Sequence, residues 1–118
     1  MSNETDRELL ELAAKAAEIT LARDPHGVYR NVTAFAPEGN VFTAPLWNPL
    51  TDDGDALRLV VKLQLPIEFM AGRLVVVNNA SMLHGDARDH GGDLCAATRR
   101  AIVRAAAEIG KQQPTEKD

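Results

Sequence analysis

Two stretches of the chain concentrate side chains that could do chemistry. In "HGDARDHGGD", His84 to Asp93, the imidazoles of His84 and His90 and the carboxylates of Asp86 and Asp89 follow one another closely. These are the ligand types of zinc and related metals, and a His–Asp pair is also a general base, so a small metal-dependent hydrolase or nuclease is one reading. The spacing matches no established motif, and a glycine-rich polar loop of this kind is ordinarily solvated. In "PLWNPLTDDGDALRL", Pro45 to Leu59, the carboxylates of Asp52, Asp53 and Asp55 could hold calcium or magnesium. An EF-hand loop does not fit: with Gly54 at its glycine position the first ligand would be Pro49, and no glutamate closes the loop. The aspartates serve better at a helix start, where they satisfy open amides and offset the positive end of the dipole, each worth roughly 0.3–1 kcal/mol. The same charges oppose phosphate binding there.

Trp47, the only tryptophan, and Pro49 are expected to pack over that helix start and fix the angle of the chain. A partly exposed Trp47, with Asn48 beside it, would instead stack on a ligand or anchor an interface. Further along, Arg100, Arg104 and Lys111 share one side of a helical pattern, with Arg99 nearby. Such a basic ridge can meet a phosphate backbone or an acidic partner, and it is also how the wet side of an amphipathic helix reads. The candidate ligand- or partner-binding residues are therefore Trp47, Asn48, Asp52, Asp53, Asp55, Arg100 and Arg104, with His84, Asp86, Asp89 and His90 as the metal alternative. No G-x-S-x-G, P-loop or G-x-G-x-x-G pattern occurs, no catalytic residue is assigned, and no cofactor is expected.

The elements that must position these residues belong to a chain of 118 residues, enough for one domain whose core needs no metal or disulfide staples. A hydrophobic content of 45% with 25% charged residues is that of a globular protein. A formal net charge of -4 and a pI near 5.3 leave no global field to draw nucleic acid or an anionic membrane, so partners must be recognised locally. Cys95, the single cysteine, excludes an intramolecular disulfide and multi-cysteine metal sites, and fits a reducing cytoplasm. Early in an alanine-rich helix, it is expected to be at least partly buried. "MSNETDRELL" lacks the basic start and apolar run of a signal peptide, and no later run could span a bilayer, so a soluble cytoplasmic protein is expected. The sequons at Asn31 and Asn79 are then chance matches.

Thr5 and Glu8 form a capping box that opens a first, amphipathic helix, and Pro25 with Gly27 places its end near Asp24. "GVYRNVTAFA" and "NVFTAPLW", separated by "PEGN", predict a hairpin. Thr51, Asp52 or Asp53 caps a second helix, whose apolar residues Ala56, Leu57, Leu59, Val60, Val61 and Leu63 cover more than half its circumference and leave Arg58 and Lys62 wet. It should be the most buried of three. Ala71-Gly72 separates Ile67–Met70 from Arg73–Val77 as a second hairpin, followed by a polar loop up to Asp93. Asp93 caps a third helix with Leu94, Thr98, Ile102, Ala105 and Ile109 on one face, Val103 off that face as a candidate subunit contact, and Gly110 as its stop. The order α-β-β-α-β-β-α predicts a single α+β domain over residues 1–112. One small antiparallel sheet of two hairpins is covered by three helices around a shallow, alanine-rich core, and a polar tail over 113–118 is disordered.

Three segments, "DRELLELAAKAAEI" from Asp6, "WNPLTDDGDALRLVVKLQL" from Trp47 and "CAATRRAIVRAAAEIG" from Cys95, together resemble a group of small uncharacterised proteins of tailed bacteriophages and prophages. "WNPLTDDGDALRL" carries most of that resemblance. More distantly, the layout of tryptophan, proline and following helix, then strands and an alanine-rich closing helix, is similar to the phage α/β/α-sandwich and NinX-type families. The likeness departs between Asp24 and Ala44 and between Met70 and Asp93. It implies an α/β/α or α+β sandwich, no transferable catalytic residue, and an accessory role in a bacterial host cell. The protein is then expected to be non-catalytic, binding a host protein or sequestering a small ligand, with counter-defence as one use. A homo-oligomer, with Trp47 or the basic ridge lining a site between subunits, is a further arrangement that the residues allow.

Overall fold

The structure, a computed structural model, describes residues 5–33, 44–78 and 82–113. Helix α1 (Asp6–Ala16) opens at its capping box: Glu8 N–H donates to Thr5 Oγ1 at 3.1 Å and Thr5 N–H to Glu8 Oε1 at 2.9 Å. It stops well short of Asp24. Glu18 adopts a left-handed conformation (φ 61°), and Ile19 N–H reaches back to the Ala14 carbonyl at 2.9 Å, a Schellman-type ending built without glycine. The chain beyond forms β1 (Leu21–Arg23), which pairs antiparallel with β2 (Tyr29–Asn31). Pro25 and Gly27 lie in the turn of this hairpin rather than at a helix end. There the amides of His26 and Val28 donate to Asp24 Oδ1, and Arg30 Nε donates to Asp24 Oδ2 at 3.2 Å. The Val28 hydrogen bond, foremost, outweighs burial and holds the Asp24 carboxyl below the ordinary carboxylate range.

Of the strand expected over residues 40–47, residues 44–47 are described, and these meet β2. Arg30 and Leu46 form one antiparallel bridge, flanked by Asn31 N–H to the Pro45 carbonyl (2.9 Å) and Trp47 N–H to the Tyr29 carbonyl (3.1 Å). The "PEGN" turn lies outside the described residues.

Helix α2 (Asp53–Leu63) is capped by Asp52, whose Oδ2 accepts from Asp55 N–H at 2.8 Å. It is not the most buried helix: Leu57 and Val61 are 62% and 61% exposed. That place belongs to α3 (Leu94–Gln112), which packs against α1, α2 and the three-stranded sheet. Because α3 is covered on several sides, Val103, off the face that periodicity selects, is fully buried and free for no subunit contact. Gly110 does not end α3 either. It lies under α1, where a Cβ would sit 2.1 Å from the Leu12 carbonyl oxygen, so the two helices approach there because there is no side chain. Ala13 and Ala14 of α1 and Ala97, Ala101 and Ala105 of α3 are all buried in the core.

Strands β3 (Ile67–Met70) and β4 (Leu74–Val77) form the expected hairpin, with Ala71 (φ 58°) and Gly72 (φ 69°) supplying the paired positive φ of a type I′ turn. The segment expected as a polar loop contains a third strand, β5 (Leu83–Asp86), and a 3₁₀ turn (Ala87–His90) before Asp93 caps α3 through Ala96 N–H. Among the described residues the fold is thus α+β, with three helices and two small antiparallel sheets, β1-β2 and β3-β4-β5, instead of one. The tail from residue 114 lies outside the described residues.

Candidate functional site

The segment between β2 and α2 is a helix-start device. The Asn48 carbonyl accepts from the amides of Thr51 (3.1 Å) and Asp52 (2.9 Å), while Asn48 Oδ1 accepts from Leu50 N–H at 3.0 Å. Buried Asp55 reaches back from the first turn: its Oδ2 accepts from Asn48 N–H at 2.9 Å and its Oδ1 from Arg58 at 3.0 Å. Asp53 turns the other way and pairs with Arg99 at 2.7 Å, while Arg99 Nε donates to the Leu50 carbonyl at 2.8 Å. Trp47 is packed into the core, not partly open.

One side of this device is a wall of a cleft of about 700 Å³. Arg7 and Leu10 of α1 face the cap residue Asp52 and Asp55 and Arg58 of α2 across it, with Val28, Tyr29 and the Leu46–Asn48 segment between them. The volume suits a small organic ligand. Its acceptors are largely used within the protein: Asp55 by Asn48 and Arg58, Asp52 by the Asp55 amide, and neighbouring Glu11 by the Tyr29 hydroxyl and Arg7. Burial raises the Tyr29 pKa, and the Glu11 carboxylate that accepts its hydrogen bond raises it further, so the phenol stays protonated and committed to Glu11. What remains over is donors: guanidinium N–H groups of exposed Arg7 and Arg58 and the side-chain amide of Asn48. Beside them lie the apolar groups of Leu10, Val28, Leu46 and Trp47. Such a surface can bind an oxyanion carried on an apolar body.

Of the residues singled out in the sequence, Trp47, Asn48, Asp52 and Asp55 come together in this cleft, whereas Asp53 lies across α2 with Arg99. Arg100 and exposed Arg104, on α3, do not line it. The basic ridge is largely tied up, since Arg99, Arg100 and Lys111 pair with Asp53, Asp6 and Glu108. The histidine group is not assembled. His84 is exposed on β5, Asp89 and His90 sit in the 3₁₀ turn, and Asp86 is held by Arg73 (2.8 Å) and Arg88 (2.9 Å). Hydrogen bonds from Arg88, led by its side chain, lower the Asp86 pKa to about 2. Among the described residues no three His, Cys, Asp or Glu side chains are grouped so as to hold a metal ion. Cys95 is exposed, contrary to expectation, because α3 turns its first residues toward an open apolar groove. Arg58 reads in the sequence only as a wet position of α2, although its i,i+3 spacing from Asp55 was a signal that could have marked it, whereas Arg7 and Tyr29 reach the cleft only through tertiary packing and carry no local signal.

No helix among the described residues is long and apolar enough to cross a membrane. Compared with protein-family models, curated proteins and solved structures, the chain finds no match.

Proposed function

We propose that this protein is a non-catalytic binding protein that sequesters a small anionic ligand with an apolar body in the Trp47 cleft. The observation that carries this reading is the imbalance of hydrogen-bonding groups: the carboxylates of the cleft are engaged by the protein itself, while the guanidinium N–H groups of Arg7 and Arg58 and the side-chain amide of Asn48 face it with capacity to spare. The anion is therefore taken by the arginines and not by the α2 N-terminus, where Asp52 and Asp55 oppose it. The resemblance to small phage and prophage proteins supports an accessory role in the cytoplasm of a bacterial host, where withholding a signalling molecule would serve counter-defence. The metal-dependent alternative loses support, because Asp86, one of its two carboxylates, already serves two arginines.

Native mass spectrometry of protein purified gently from bacterial cells tests the reading. The wild-type protein should retain a small anion, and an Arg7→Gln/Arg58→Gln double variant of unchanged fold should lose it. A bare protein in every preparation, with no thermal shift in a panel of nucleotides and aromatic or aliphatic carboxylates, would overturn it.

A further inference from the structure

Strand β3 lies at the edge of the β3-β4-β5 sheet. The hydrogen bond from Asn78 N–H to the Pro66 carbonyl (2.9 Å) shows which backbone groups face β4: by antiparallel alternation Pro66, Glu68 and Met70 bond inward. The Ala87 N–H to Arg73 carbonyl bond on the far side of β4 (2.8 Å) fits the same phase. The N–H and C=O groups of Ile67 and Phe69 therefore point away from the sheet, and among the described residues no strand pairs with them. β3 carries no lysine and no bulge; what guards this short edge is Pro66 just before it and the charge of Glu68, which a like-charged or apolar strand would meet and a basic one would satisfy.

The two faces of this edge differ in chemistry. Ile67 and Phe69 line an apolar groove of about 450 Å³ with Leu57 and Val60 of α2 and Ile102 of α3, and Phe69 is 55% exposed. Exposed apolar side chains gathered in this way around a groove mark an interaction surface. Glu68 points to the opposite face, is exposed, and makes no ion pair among the described residues. The groove shares no lining residue with the Trp47 cleft and lies on the other side of α2.

We infer that β3 docks an extended segment of another protein by strand addition, and that the segment carries a basic residue opposite Glu68 between two apolar residues facing the groove. Backbone pairing at Ile67 and Phe69 supplies the register, the groove takes the flanking apolar side chains, and Glu68 selects the central charge. A second copy of this chain fits poorly. The two-fold register that uses Ile67 and Phe69 of both copies centres on Glu68 and sets that carboxylate directly against its own image, a destabilising like-charge pair.

The test uses two acetylated peptides, Thr-Val-Lys-Val-Thr and Thr-Val-Glu-Val-Thr, titrated into the full chain while amide exchange is followed by NMR. The lysine peptide should protect the amides of Ile67 and Phe69 and bind roughly ten-fold more tightly than the glutamate peptide. A Glu68→Lys variant, whose unchanged exchange elsewhere reports an intact fold, should reverse that preference. Binding by neither peptide, equal binding by both, or protection mapped to other strands would overturn the proposal. So would a concentration-dependent dimer in which Ile67 and Phe69 are already protected without peptide, which would assign the edge to self-association.

Discussion

Arg99 joins two helices through a single side chain: one guanidinium edge holds the Leu50 carbonyl in the loop before α2, and the other holds Asp53. The two contacts differ in environment, because the Arg99 side chain is 18% exposed and that of Asp53 is 75% exposed. Removing the arginine leaves a carbonyl short of a charged donor as well as a lost ion pair, so Arg99→Ala should cost about 1–2 kcal/mol in urea unfolding. Asp53→Ala removes only the exposed half and should cost less than about 1 kcal/mol. Equal losses would mean that the ion pair, not the carbonyl contact, fastens α2 to α3. Gly110 is the opposite case, a residue that matters by having no side chain. Gly110→Ala would drive a methyl into the Leu12 carbonyl and should destabilise by about 3 kcal/mol or more, read by the same titration. A glycine late in a helical pattern reads as a stop or as a close approach with equal ease, and only the position of α1 decides between them.

At the scale of elements, α1 and α2 both end on left-handed residues that are not glycine, Glu18 (φ 61°) and Gln64 (φ 54°), and the β3–β4 turn holds Ala71 at φ 58°. An L-residue pays for this conformation and glycine does not, so Glu18→Gly and Ala71→Gly should each stabilise the protein by about 1 kcal/mol, measurable as a raised Tm. The same substitutions would be destabilising if either residue kept ordinary right-handed geometry in solution. Glu18 also explains why the end of α1 was not legible: without a glycine at the cap the helical pattern runs on, and β1 is hidden inside it. β5 was hidden for a related reason, since "LHGD" has neither the length nor the β-branched content of a strand and is held by pairing with β4. By contrast, the capping box at Thr5, a cap within Thr51–Asp53, the turn at Ala71-Gly72 and the cap at Asp93 were all legible, because each is a local hydrogen-bonding or dihedral requirement met by adjacent residues; which of the three caps α2 was not, and Asp52 does. The candidate cleft divides along the same line. Trp47 to Asp55 is contiguous and was visible, whereas Arg7 and Tyr29 are brought to it by the packing of α1 against the hairpin.

At the scale of the whole molecule, the two small sheets are each anchored by a carboxylate with a lowered pKa: Asp24 in the β1–β2 turn and Asp86 at the end of β5. For Asp86 the ordinary value is 3.8 and the folded value about 2. Above pH 4 or so the group is ionised in both states, and the stabilisation from Arg88 and Arg73 is fully present. As pH falls below that, the unfolded chain takes up the proton first, while the native state resists until about pH 2, so stability drains across that interval. Asp24 shifts in the same direction and adds to the loss on the acid side. The consequence can be separated from general acid swelling by comparing the wild type with Asp86→Asn, which keeps the side-chain shape but carries no charge. At neutral pH the variant should be the less stable of the two, having lost charge-assisted hydrogen bonds to Arg88 and Arg73. In urea unfolding at a series of pH values the two stability curves should converge as pH falls toward about 2, because protonation makes the wild-type side chain as neutral as the variant's. Curves that stay parallel through the acid range would show that the ionised form of Asp86 does not hold β5 and the 3₁₀ turn together.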